Sequence, residues 1–250
     1  CHGYDVFNLS DKNSGYYKVI KKISAKNTIF TCPSHFLKDQ LVKKLDIDHS
    51  MVKVVPNGFN TDIFTTSNFS PPNGNVFRIA HCGRFIDLKG QFFLIQAIST
   101  LYQSGYNNIE LTLIGDGETK NDLELLVYDL GLNHVVKFTG AVSHQKVGEL
   151  IRQCDLYVHP SYTLESGHAE TFGIAILEAI ASGKPCIVTD SGGMKEIFNR
   201  QEQTFYKIVE QKSPESLANA IRYFLEFIPN IRVADFHHFQ HFHTLLISHL

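Results

Sequence analysis

This chain of 250 residues lacks most of the features that would settle its class at a glance. It has no charge of one sign in excess: 23 Lys and Arg stand against 25 Asp and Glu, a formal net of −2. General electrostatic attraction to nucleic acid or to anionic lipid is therefore not its basis of action. No stripe of basic and aromatic residues of the kind that carries single strands is present either. No apolar stretch approaches the roughly 18 to 20 residues needed to span a bilayer, because polar residues interrupt every candidate. Its five cysteines (Cys1, Cys32, Cys82, Cys154, Cys186) form no CxxC pair and are odd in number. That argues against a disulfide framework or a zinc knuckle and suits a reducing, cytoplasmic setting. No internal repeat is visible. Cys1 stands directly before His2, with neither Met nor signal peptide ahead of it, and the expectation is of a fragment whose beginning is missing.

What is present is a core-forming composition, 43% hydrophobic and 19% charged, which excludes disorder of the whole chain. From Thr28 onward, short apolar runs of β type alternate with longer amphipathic runs, the signature of βα units on a parallel sheet. Strands are expected at Asn27–Cys32, Met51–Val55, Phe77–His81, Ile109–Ile114, Val135–Phe138, Asp155–His159, Pro185–Thr189 and Tyr206–Val209. Helices are expected at His35–Leu45, with Ser34 as cap, and at Lys89–Ser104, Thr119–Leu130, His144–Gln153, Phe172–Ser182 and Pro214–Phe227. Thr65 to Asn75 is the one stretch rich in Pro, Gly, Ser and Asn, and a domain boundary is placed there. Residues 71–228 would then form a doubly wound α/β domain, whose ligands bind beyond the carboxyl ends of the strands.

Four strand-to-helix turns carry residues suited to chemistry. In Gly83-Arg84-Phe85-Ile86-Asp87-Leu88-Lys89-Gly90, two cations bracket an expected helix start, whose free N–H groups favour an anion. Arg84 can grip a phosphate with two parallel bonds and Lys89 can act as a point charge; the same residues also suit a plain solvated surface. Gly115-Asp116-Gly117 lacks the third glycine of a dinucleotide fingerprint and reads as close backbone approach or a tight turn. Glu178 is the lone ionisable residue between Phe172 and Ala181. A carboxylate on so apolar a helix needs a partner, either sugar hydroxyls, a buried base or solvent. The N–H groups of Thr171, Phe172 and Gly173 would point out of that helix toward a phosphate. Asp190-Ser191-Gly192-Gly193 opens a further cradle, with Glu196 free to accept hydroxyl bonds.

Together these segments resemble family 4 of the retaining glycosyltransferases, which have the GT-B fold of two facing Rossmann-like domains. The resemblance runs along CHGYDVF, TCPSHFLKDQL, VVPNGFNTDIF, GRFIDLKG, LIGDGE, ETFGIAILEA and SGKPCIVTDSGG. Its most specific element is the Glu-x7-Glu pair, Glu170 and Glu178. The resemblance implies that residues 1–70 are the last part of an N-terminal acceptor domain and that 71–228 are the complete donor domain. It implies a hexose passed from a UDP- or GDP-hexose to an acceptor hydroxyl of a saccharide or lipid-linked acceptor, with retention of configuration. Arg84 and Lys89 would hold the donor diphosphate, Glu170 the sugar hydroxyls and Glu178 the ribose. Thr171, Phe172 and Gly173 would offer backbone donors, and Gly83, Gly115, Gly117, Gly192 and Gly193 would line the donor site. His2 matches the histidine set near the reacting sugar. No metal or other cofactor is expected, and Asp46-Ile47-Asp48, though a DxD, reads as a solvated turn. Cell-surface polysaccharide, lipopolysaccharide or glycolipid synthesis at the inner face of the membrane is the implied setting, with peripheral membrane association through the absent N-terminal segment. A nucleotide-sugar binding fragment without turnover, or a sugar-nucleotide epimerase on the same fold, are the competing readings. The tail 229–250 departs from the pattern; its His237 and His241 have the spacing of a metal pair.

Overall fold

The computed structural model describes residues 1–26, 28–65, 76–198 and 204–228. The boundary stretch Thr65 to Asn75, apart from Thr65 itself, lies outside the described residues, as do the tail 229–250 and its two histidines. The first part of the chain carries helices α1 (Gly3–Phe7), α2 (Gly15–Ser24) and α3 (His35–Leu45) and a parallel pair of strands, β1 (Phe30–Cys32) and β2 (Val52–Val54). Helices α1 and α2 lie ahead of the segment in which elements were expected. Leu37, Leu41 and Leu45, at helical spacing on α3, close with Val6, Leu9, Phe30 and Val52 into a small core.

The second part is a six-stranded sheet, parallel throughout, in the order β5-β4-β3-β6-β7-β8. Its strands are β3 (Phe77–Cys82), β4 (Ile109–Ile114), β5 (Val136–Phe138), β6 (Leu156–His159), β7 (Cys186–Thr189) and β8 (Tyr206–Val209). The helices between them are α4 (Gln91–Gln103), α5 (Lys120–Asp129), α6 (His144–Gln153), α7 (Ile174–Ala181) and α8 (Pro214–Phe227). Successive strand side chains point to opposite faces. Accordingly Ile79, Leu156, Val158 and Ile187 join one core with Leu94, Ile98, Leu217 and Ile221 of α4 and α8. Ala80, Tyr157 and Val188 join a second core with Ile151 of α6 and Ile176 and Ile180 of α7. Both faces are covered most completely at the central β6 and β7, which are buried along their whole length, whereas β4, β5 and β8 carry partly or fully exposed residues.

The strand order reverses between β3 and β6, so the loops that follow these two strands diverge and leave a crevice at their carboxyl ends. Two expected helix starts are corrected here. Helix α4 begins at Gln91, behind Gly90, and Lys89 belongs to a separate 3-10 turn, Asp87–Lys89. Helix α7 begins at Ile174 with Gly173 as its N-cap, so Thr171 and Phe172 belong to the loop before it. All five cysteines are free. Among the described residues no helix is long and apolar enough to cross a membrane.

Candidate functional site

The loop after β3 and the loop after β6 meet across the crevice. Lys89, from the first, pairs with a carboxylate oxygen of Glu170, from the second, and both side chains are largely buried. Burial alone would raise the Glu170 carboxyl, but His159 and the Lys89 ammonium outweigh it and hold Glu170 well below the usual carboxylate range. Arg84 stands exposed at the rim, and its carbonyl accepts a bond from Gln91 Nε2 at 3.0 Å. Together with His2, Thr171 and His168, these residues line a cavity of about 710 Å³. His2 reaches it from α1, where its own N–H donates to Asp5 Oδ2 at 2.8 Å. Gly3 lies against Thr171, whose Cγ2 would be 2.8 Å from any added Cβ. His168 packs against Phe7 with ring centroids 4.6 Å apart and planes tilted by 46°, and shares a bond with Ser166. The structure thus gathers His2, Arg84, Lys89, Glu170 and Thr171 at one place.

The glycines work on the scaffold behind this cavity. A Cβ on Gly115 would sit 2.1 Å from the Gly83 carbonyl oxygen, and one on Gly117 would sit 2.3 Å from that of Phe85. These two turns can run side by side only because no side chain separates them. Gly192 is fixed more tightly. Its φ is +57°, and an added Cβ would come within 1.9 Å of the Glu170 carbonyl oxygen. The next residue, Gly193, donates its N–H to that same oxygen at 2.9 Å. The Gly-Gly turn after β7 therefore sets the height of Glu170.

Three expected residues stand elsewhere. Phe172 is buried in the second core, and it shares with Gly192 a cavity of about 680 Å³ between the two sheets. Glu178 is buried on α7 and its Oε1 lies 2.7 Å from Nε2 of His144, the first residue of α6. Of the partners open to it, a basic side chain is the one present, and Phe64 packs edge-on against that imidazole at 4.9 Å. Burial raises the Glu178 carboxyl while His144 draws it down, and burial prevails. Glu196 is not free for hydroxyls: its two carboxylate oxygens accept the N–H groups of His35 and Phe36, each at 2.7 Å, at the head of α3. An acid at a helix N-terminus satisfies its orphan donors and its dipole. Asp46 and Asp48 likewise serve as the C-cap of α3 and the cap of the following turn.

Sequence reasoning did not find His81, Tyr157, His159 or His144. The first three lie inside strands, where a polar residue in an apolar run is a signal only once its neighbours are known. His81 and His159 are fully buried.

The sequence profile described as Glycosyl transferases group 1 matches residues 62–227, more than half of the chain. The chain belongs to this family. Relatives of this glycosyl transferase include an uncharacterised glycosyltransferase of Methanocaldococcus jannaschii, 31% identical over 74% of the chain and 47% of that protein. Another is TuaC of Bacillus subtilis, whose name provisionally assigns it to teichuronic acid biosynthesis; it is 30% identical over 94% of the chain and 56% of its own length. The chain thus spans about half the length of these curated relatives. Among solved structures, Anabaena HepE in complex with UDP superposes with a TM-score of 0.73 at 24% identity, over 90% of this chain and 62% of that one. WaaG, a glycosyltransferase involved in lipopolysaccharide biosynthesis, gives 0.73 at 21% identity, over 96% and 65%. The fold of this group 1 glycosyl transferase is accordingly the α/β, parallel-sheet architecture of those GT-B enzymes.

Proposed function

We propose that this chain carries the donor site of a retaining hexosyltransferase, which takes a hexose from a UDP- or GDP-hexose and passes it to an acceptor hydroxyl. The observation that carries the reading is the convergence of Lys89, Arg84 and Glu170 with His2 in one cavity at the strand-order reversal. Two cations and a carboxylate side by side suit a substrate that carries a diphosphate beside a polyol. Arg84 and Lys89 receive the diphosphate and neutralise the charge that grows on it as the sugar leaves. Each fixed cation aimed at that charge is worth roughly 3 kcal/mol on the scale of one oxyanion donor. Glu170 accepts hydroxyls of the transferred sugar, and Glu178 exchanges its His144 partner for those of the ribose. Thr171, Phe172 and Gly173 offer backbone donors, and His2 faces the reacting sugar from the first part of the chain. The two cations carry the charge, so no metal is required by this scheme. HepE was crystallised with UDP and with UDP-glucose, which supports a nucleotide-sugar donor on this fold. The names of TuaC and WaaG, which refer to teichuronic acid and lipopolysaccharide biosynthesis, support a setting in cell-surface polysaccharide synthesis; a saccharide or lipid-linked acceptor at the cytoplasmic face of the membrane is part of this proposal.

Calorimetric titration of the chain with UDP and with GDP, each repeated in EDTA, tests this reading. Saturable binding of one nucleotide, unchanged by EDTA, is expected. Arg84→Ala and Glu178→Ala should each weaken it by about tenfold or more while melting as the parent does. Variants that bind both nucleotides like the parent would remove the assignment. A second reading is donor capture without turnover; product formation by this chain excludes it.

A further inference from the structure

Beneath the cavity lie three polar side chains that the proposed chemistry leaves idle. Tyr157, His159 and His81 are all fully buried, and the two imidazoles lie 5.2 Å apart at 51°. His81 Nδ1 is 2.9 Å from the Val158 carbonyl oxygen, which can only accept, so Nδ1 carries the proton and Nε2 is a bare acceptor. His159 has two neighbours to satisfy. Its Nδ1 lies 3.1 Å from the Tyr157 hydroxyl and its Nε2 lies 3.6 Å from Glu170 Oε2. The hydroxyl has one proton and stands at 3.2 Å from the Cys82 carbonyl oxygen, so distance alone leaves it free to turn to either acceptor. Electrostatics decides between them. A bare Nε2 would set a lone pair against a buried carboxylate, whereas a protonated Nε2 turns that repulsion into attraction. Tyr157 therefore donates to Nδ1, and the Nε2–H of a neutral His159 is aimed at Glu170. Burial, which holds the His159 imidazole toward its neutral form, agrees with this.

We infer that His159 is a positioning residue for Glu170, keeping it ionised and aimed at the sugar when Lys89 turns to the diphosphate. The inference rests on the reading of Glu170 as acceptor of sugar hydroxyls. Lys89 and Glu170 are paired, yet the donor asks for the ammonium at its phosphates and the carboxylate at its sugar. A carboxylate whose side chain is only 14% exposed would, on losing its cation, be driven toward its protonated form, which gives up part of its acceptor capacity. The buried Nε2–H below it makes no hydrogen bond and stands 3.6 Å away, so it is the donor that can close on the carboxylate and prevent this. It comes from a strand rather than a loop, so it holds its place while Lys89 moves.

Nitrogen-15 NMR of the chain alone reads the tautomers. Nε2–H on His159 and Nδ1–H on His81 are expected, and the reverse tautomer of His159 overturns the inference. Titration then compares UDP with UDP-glucose and GDP with GDP-mannose. In His159→Phe, affinity for the nucleoside diphosphate should stay within about twofold of the parent. Affinity for the sugar nucleotide should fall about tenfold, and His159→Gln, which restores an N–H donor, should recover most of it. Should His159→Phe fail to fold, Tyr157→Phe carries the test; loss of the hydroxyl that sets the tautomer should lower the same ratio. An unchanged ratio in these variants, or an equal loss for both ligands, overturns the inference while leaving the donor site standing. A parent that binds none of the four compounds removes the donor-site reading, and the inference with it.

Discussion

Glu178 on α7 and its neighbour His144 on α6 set the proposed ribose contact against stability. Burial raises the carboxyl, so the folded state holds its proton more firmly than the unfolded chain does. Its favourable contribution is therefore complete below the ordinary value of 4.5 and is lost as pH rises through the raised value. At pH 7 the ionised group opposes folding. Glu178→Gln should then melt no lower than the parent at pH 7, with a gain of roughly 1 kcal/mol. That gain should vanish below pH 4.5, and melting curves across the acid range would show it. A clearly lower melting point at pH 7 would contradict the argument. The isolation of Glu178 on an apolar helix was legible from its neighbours in sequence. The identity of its partner was not, because His144 comes from another helix and meets Glu178 only through the packing of α6 on α7.

At the scale of elements, the eight strands were legible to within three residues at their ends, because each carries a short run rich in β-branched or aromatic residues between turn signals; β6 and β7 are buried along their whole length. The helix starts at Lys89 and Phe172 were not, and in each case a glycine with positive φ delays the helix. Helices α1 and α2 were not read from the sequence. The first has only five residues; the second has Tyr16, Val19, Ile20 and Ile23 at helical spacing and was legible, although Tyr16, Val19 and Ile23 are exposed. The turn after β7 supplies the sharpest test at this scale. Gly192→Ala must adopt a left-handed conformation that costs an L-residue about 1–2 kcal/mol, and must also push its Cβ away from the Glu170 carbonyl. A loss of at least about 2 kcal/mol is expected, read as a drop of roughly 4–8 °C in melting temperature. A variant that melts with the parent would show the turn to be more pliant than its contacts imply.

In the whole molecule, the two sheets are tied by a few polar contacts beside the cavity. Glu196 caps α3 and Ser34 Oγ donates to the Thr171 carbonyl at 2.6 Å, beside the Gly193–Glu170 bond that fixes the larger sheet's own loops. The sequence placed Glu196 in the right loop but assigned it the wrong partner. A carboxylate after a Gly-Gly turn reads equally as a sugar acceptor or a cap, and only the arrival of α3 distinguishes them. Glu196→Ala should cost about 1–2 kcal/mol, as loss of an acidic helix cap does. Amide exchange should quicken at His35 and Phe36 before it quickens in the strands. Unaltered exchange at those two amides would mean that the contact holds nothing together.

The pairing of β3 with β6 has a consequence in time as well as in space. The other strands of the six pair with a neighbour in sequence, whereas His81 and the Val158 carbonyl that it meets are 77 residues apart. Closing so long a loop has the greatest entropic cost in the sheet and slows the step that depends on it. The crevice opens between these very strands, so neither half of the sheet contains any part of a finished cavity until the halves have joined. On the donor-site reading, competence to hold a nucleotide follows the joining of the two halves, so the ligand would stabilise the completed sheet rather than either half.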